Sequence, residues 1–270
     1  MEETKLRLTV GLKQGKSVVT DRFFTSPLKL GLPEGTGERK VIMLMMASAG
    51  VLKGDAFSYD IRCESGTKTL LTEQSYTKIF DTGDGGAKRR QHITVDRGAS
   101  LYYRPCAVIP FQNSTYDGDI LVELDPESEF AWADIMTAGR VGMGEKFAFR
   151  HYRNRICVEA GGMPVWMDHC LFEPQTMDVE GMLFFDGYTH QGTFYYYGAK
   201  EKQEQIFAWQ EQILEKETEE MKEAMKEAMK GIAFGVTEAS AGVCVRVLAH
   251  TAQDIEELFA ELAGILELEQ

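Results

Sequence analysis

A chain of 270 residues, 44% hydrophobic and 26% charged, can bury a sizeable core as one large domain or two modest ones. Its formal charge of −13 opposes phosphate backbones and anionic membranes, so neither nucleic acid nor membrane is expected as a partner; cations and basic protein surfaces are favoured instead. No apolar run approaches the roughly 20 residues of a membrane span. Five scattered cysteines (Cys63, Cys106, Cys157, Cys170, Cys244) without a C-x-x-C pair argue against a disulfide framework or a thiolate zinc site. Met1-Glu2-Glu3-Thr4 is acidic where a secretory signal would be basic, and a cytoplasmic location is the expectation.

Along the chain, Lys5 to Val10 alternates polar and apolar residues with period two, and Ser17 to Phe24 supplies a second strand after the Gly15-Lys16 turn. Pro27 ends that strand, and 31–37 reads as a loop. Val41 to Met46 is a short continuous apolar run, as expected of a strand buried on both faces. A unit then recurs: an alternating strand, a tight turn, and a second strand. It appears at Ile61–Gly66, Ile93–Gly98, Leu121–Pro126 and Ile156–Gly161, each followed by an apolar segment. One such unit cannot bury its apolar face alone, so stacking is required. The expectation is layered, mostly antiparallel sheets coiled like a short β-helix.

The glycine-rich segment from Asp81 to Arg90 lacks the G-K-[ST] ending of a phosphate loop and reads as a turn. Residues 200–230 hold nine glutamates and six lysines, with Ile206, Trp209, Ile213, Met221 and Met225 at helical spacing. That predicts a long helix, with the methionine stripe as a seam for packing. Ser240 to Leu248 is another strand, and a last helix starts near Asp254 as its cap. The fold class expected is mainly β: stacked β-hairpin units in a β-helix-like body (1–198), with a helix–strand–helix appendix (199–270) packed on it.

The chemistry-bearing groups cluster in a few places. Met43 to Phe80 is mostly apolar yet carries Gly54-Asp55, then Glu73-Gln74-Ser75 and Lys78. Asp134, Arg140 with Glu145, and Asp168 with His169 also lie in or beside strand sequence. Each has a local reading: Asp55 caps a turn, Arg140 pairs with Glu145, and Asp168 closes a hairpin. Asp134 and Glu145 could instead be the acid pair of a β-solenoid glycosidase, although no G-x-S-x-G or H-E-x-x-H accompanies them. The five histidines never fall at ligand spacing, and His169 is the best single metal candidate. Scattered interior carboxylates without a tight cage suit loose, serial handling of a divalent ion.

Several segments resemble, in order, those of the urease accessory protein family UreD, called UreH in some organisms. They are Ser48-Ala49-Gly50 with Gly54-Asp55, and Leu71-Thr72-Glu73-Gln74-Ser75 with Lys78-Ile79. Pro105 and Ile109-Pro110-Phe111, Ala138-Gly139-Arg140 with Gly144-Glu145, and Phe185-Asp186-Gly187-Tyr188-Thr189-His190 follow. Ser48-Ala49-Gly50 departs from the Gly-Gly pair of many members. The resemblance implies a mainly β, helically wound fold and a non-enzymatic maturation factor that assembles with UreF and the GTPase UreG on urease apoprotein. It further implies an interior tunnel for Ni²⁺ in transit, with no tightly bound cofactor. By position Asp55, Asp134 and Asp168 match the tunnel acids, with Glu145 and His169 as secondary contacts. Gly54, Gln74, Lys78, Arg140, Tyr188 and His190 match structural or interaction positions. A carbohydrate-active enzyme and a pure binding scaffold without an ion path remain the alternatives.

Overall fold

A computed structural model describes residues 3–33, 38–182, 184–215 and 231–269. The strands are β1 (Thr4–Lys13), β2 (Lys16–Phe24), β3 (Leu28–Gly31), β4 (Lys40–Met46), β5 (Ala56–Cys63) and β6 (Lys68–Glu73). Next come β7 (Thr77–Ile79), β8 (Ala87–Val95), β9 (Ser100–Arg104), β10 (Val108–Pro110), β11 (Thr115–Leu124) and β12 (Glu129–Thr137). Then follow β13 (His151–Ala160), β14 (Met163–Phe172) and β15 (His190–Tyr197), helix α1 (Lys200–Glu215), β16 (Ile232–Glu238), β17 (Val243–Ala249) and helix α2 (Ala252–Ile265).

Two sheets face each other. One runs β14-β13-β11-β8-β5-β1-β2, and the other runs β16-β17-β15-β12-β9-β6-β4-β3 with β7 and β10 beside it. The mainly β, β-helix-like body is as the sequence implied, but the pairing inside the first three units is different, while the fourth, β13–β14, is the expected antiparallel hairpin. β5 and β6 do not form a hairpin: β5 belongs to the first sheet and β6 to the second. The turn through Gly66 carries the chain across the gap between sheets, and Gly98 does so one coil later. Both glycines take positive φ, +75° and +67°. Successive coils then stack in parallel, β1 on β5, β5 on β8, β8 on β11 and β11 on β13. The expectation of mostly antiparallel sheets is therefore corrected. Antiparallel pairing is confined to the ends of the stack, at β1–β2, β3–β4, β13–β14 and β12–β15–β17–β16.

Parallel stacking aligns like positions into rows. Leu8, Ile61, Ile93, Val122 and Val158 form one fully buried row of the first sheet. Ile42, Leu71, Tyr103, Trp132, Tyr195 and Cys244 form the facing row of the second. These rows interdigitate as the core. On its outer face the second sheet is covered by the helices: Ile206 and Trp209 of α1, and Ile255, Phe259 and Leu262 of α2, pack on Ala133, Phe194 and Val245. Gly192 permits this close approach, since a Cβ there would lie 2.4 Å from Ile255 Cγ2. Helix α2 is capped by Thr251, not Asp254: Thr251 Oγ1 accepts from the Asp254 amide at 3.2 Å. Asp254 sits in the first turn, where its charge favours the helix dipole. The remainder of the expected long helix, including Met221, Met225 and Met229, lies outside the described residues. All five cysteines are free. Among the described residues no helix is long and apolar enough to cross a membrane.

Helix α1 is tied to the stack through a half-buried carboxylate. Glu129 Oε1 accepts from Lys202 Nζ at 2.8 Å and from the Tyr196 hydroxyl at 2.9 Å, while Oε2 meets Ser100 and Arg39. Burial alone would raise its pKa, but Lys202, Ser100 and Tyr196 outweigh that and hold it at about 2. Glu129→Ala leaves the buried Arg39 guanidinium without its counter-charge, and a loss of about 3–5 kcal/mol in chemical denaturation is expected. Because the pKa is depressed, the contribution of Glu129 is full above its ordinary value of 4.5 and fades as pH falls towards about 2. The gap between native and variant stability should narrow accordingly in acid; a gap that is constant with pH would refute the assignment.

Candidate functional site

The register that builds the core also places the charges. Two residues beyond the buried row of the second sheet come Glu73, Asp134, Thr193 and Arg246, all on the inward face of their strands. The facing row of the first sheet is Phe57, Arg89, Gly118, Asn154 and Cys170. One end of the sandwich is therefore polar inside. Its groups pair across the gap between sheets: Arg89 Nη1 with Glu73 Oε1 at 3.3 Å, Arg246 Nη2 with Asp168 Oδ1 at 2.6 Å, and Asn154 Nδ2 with Asp134 Oδ2 at 3.4 Å.

A broken file of cavities follows this polar row. A cavity of about 280 Å³ is bounded by Ser48, Gly50, Glu73, Gln74, Lys78 and Arg89. Arg89 is also in the wall of a neck of about 30 Å³, with Gly118, Trp132, Asp134, Tyr152 and Asn154. Asp134, Tyr152 and Asn154 continue into a space of about 10 Å³ that adds Cys170, Gln191 and Thr193. Cys170 and Gln191 in turn border an open cavity of about 530 Å³ with Asp168, His169 and Arg246. Neighbouring spaces thus share walls from one end to the other. A single water needs on the order of 10–15 Å³, so the two middle spaces are just wide enough for solvent.

Electrostatics single out Asp134. Burial, and then the nearby charge of Asp168, push its pKa up to about 7. Burial, followed by Asp168 and Asp134, pushes the Cys170 thiol up to about 12, so it stays protonated. Asp168 keeps Arg246 firmly charged. The site therefore holds one carboxylate balanced near neutrality, one in an ion pair, and a neutral thiol 3.7 Å from Asp168 Oδ2.

The other residues singled out in the sequence are placed as follows. Asp55 caps a turn, its Oδ2 accepting from the Leu52 amide at 2.8 Å; Gly54 there has φ +81° and donates to the Gly86 carbonyl. Glu145 is held by the Arg140 guanidinium and the Gln112 amide, and Arg140 lies over the Phe111 ring at 4.4 Å. A carboxylate so occupied is a poor partner for Asp134 in glycoside hydrolysis. Gln74 and Lys78 are exposed and border the 280 Å³ cavity, while His169 is exposed at the rim of the 530 Å³ one. Tyr188 stacks on His250 at 4.9 Å, and His190 Nδ1 lies 2.9 Å from Thr189 Oγ1; burial lowers the His190 pKa. Asp134 and Asp168 are thus brought together, and Asp55 and Glu145 sit in their own local turns. Among the described residues no three His, Cys, Asp or Glu side chains converge as a metal-ligand group.

Arg89, Asn154, Cys170, Gln191 and Arg246 were not singled out in the sequence. A signal existed for Arg89: the alternation that points Ile93 and Val95 inward also points Gln91 and Arg89 inward. The partners on the other sheet had no such signal, since nothing local says which strands face each other.

The fold and site define a solenoid-like β protein with a charged interior and a file of small cavities along it. A family model described as UreD urease accessory protein matches residues 2–270. The urease accessory protein UreD of Acetivibrio thermocellus is 30% identical over 268 residues, covering 98% of this chain and 97% of that one. The urease accessory protein UreH of Helicobacter pylori strain P12 is 36% identical over 191 residues, 70% of this chain and 72% of its own. UreD of Flavobacterium johnsoniae is 27% identical over 263 residues, 96% and 90% of the two chains. This chain belongs to the UreD urease accessory protein family, of which UreH is an alternative name.

The raised pKa of Asp134 has a defined consequence for stability. The contribution of such a group is full below its ordinary value of 3.8 and is lost as pH rises through about 7. Asp134→Asn cannot ionise, so its melting temperature relative to the native chain should rise between pH 4 and pH 8, by roughly 3 °C or more. A difference that stays flat over this range would show that the carboxylate is well solvated.

Proposed function

We propose that this chain is a urease maturation factor. It scaffolds UreF and the GTPase UreG on urease apoprotein and passes Ni²⁺ along its polar interior. Membership of the family supports the maturation role. The interior supports the passage: Asp134 and Asp168 lie on a file of cavities with shared walls, and among the described residues neither belongs to a multidentate metal-ligand group. Carboxylates spaced in this way bind a borderline divalent ion weakly enough to release it, as conduction requires. The ion is cargo, and the chain performs no bond chemistry on it. Asp55, in its turn, contributes to the shape of the Gly54 loop.

The reading is tested with Asp134→Asn/Asp168→Asn in the full chain. Co-purification with UreF and UreG should be retained. Activation of urease apoprotein at limiting Ni²⁺ should fall by about tenfold or more, as losses around metal-holding groups ordinarily do. Full activation by a variant that still assembles would leave only the scaffolding role.

A further inference from the structure

A route for a divalent cation has an unexpected occupant. Arg89 is in the wall of both the 280 Å³ cavity and the 30 Å³ neck, whereas Glu73 borders the larger cavity alone. The Arg89 side chain is only 8% exposed, and its positive charge stands where a cation leaving that cavity for Asp134 must pass. Fixed arginines in pores are barriers to cations.

The way Arg89 is held is equally informative. Among the described residues its single carboxylate contact, to Glu73 Oε1, is 3.3 Å long, while charge-assisted N–H···O bonds ordinarily measure about 2.7–2.9 Å. Its Nε is buried with no hydrogen-bond partner among those residues. Phe57 and Tyr59 flank the guanidinium, with ring centroids 5.8 and 5.6 Å away. Glu73 is better anchored, its Oε2 accepting from Thr77 Oγ1 at 3.2 Å. Of the two, the arginine is the partner held by the weaker hydrogen bonds.

We propose that Glu73 and Arg89 form a cation-operated latch at the entrance to the neck. A divalent cation in the larger cavity replaces the guanidinium as counter-ion of Glu73, and the released Arg89 side chain withdraws and opens the neck towards Asp134. The exchange is electrostatic: a doubly charged ion outcompetes a singly charged group for one buried carboxylate. Without a cation the arginine closes the path, so the resting protein conducts nothing through this point. The latch rests on the reading of the interior as a nickel route.

The two halves of the pair then act in opposite directions, which a merely structural ion pair would not do. The assay is the initial rate of urease activation at sub-saturating Ni²⁺, with the full chain assembled with its partners and folding checked by thermal melting. Arg89→Met removes the plug and should raise the rate roughly threefold or more; Glu73→Gln removes the ligand that frees the plug and should lower it by a similar factor. Rate losses in both variants would mark the pair as structural and overturn the latch. Native rates in both, with Asp134→Asn/Asp168→Asn impaired, would overturn the latch and leave the route. Native rates in all three would remove route and latch together. Should either single variant fail to fold, Arg89→Met/Glu73→Gln carries the test, since exchanging a buried ion pair for neutral groups of similar volume is often tolerated. It should be faster than native, and an equal or slower rate overturns the latch.

Discussion

The parallel register of the coils is the constraint on which the rest depends. Once β5, β8, β11 and β13 lie in register, every inward position is stacked on its equivalents, and the inward polar groups gather towards one end of the sandwich. Rows such as Leu8–Ile61–Ile93–Val122–Val158 bury hydrocarbon at about 25 cal/mol per Å² and hold the sheets together. The row through Arg89 and Asn154 cannot do this. Its groups find partners on the opposite sheet, because an unpaired charge between two sheets would cost several kcal/mol. The polar row and the cavities beside it lie at the same end of the sandwich, where Arg89, Asp134 and Asn154 line both.

That arrangement separates the roles of the acids. Glu145 and Asp55 serve local turns, one pinned by Arg140 and the Gln112 amide, the other closing on the Leu52 amide. Asp134 and Asp168 share an interior environment in which the charge of one raises the pKa of the other. Glycoside hydrolysis needs two free carboxylates facing a common sugar site, and the commitment of Glu145 removes that option for the pair the sequence offered. The proposed route for a cation has the opposite need, separate weak contacts in series.

Much of the fold was legible. Period-two alternation placed the strands, and the recurring strand–turn–strand unit pointed to stacking. The direction of stacking was not legible, because alternation is the same whether the second strand of a unit returns beside the first or crosses to a facing sheet. What decides is the turn: Gly66 and Gly98 carry the chain across the gap, and the next coil then runs parallel to the last. The helix cap was missed for a similar reason. Thr251 and Asp254 are both good capping residues, and the strand that ends at Ala249 fixes which one stands at the helix start.

Local order alone encodes most of the strands, the alternation that turns one side of each inward, and the family; β16 and the start of β8, inside a segment that reads as a turn, escape it. The sequence also named Asp134 and Asp168. That these two share a space, that Cys170 and Arg246 join them, and that Glu73 meets Arg89 at a neck follows from the packing of the two sheets. Those contacts join strands far apart in the chain across two sheets, and a facing partner is set by register and sheet packing, quantities that no single strand contains.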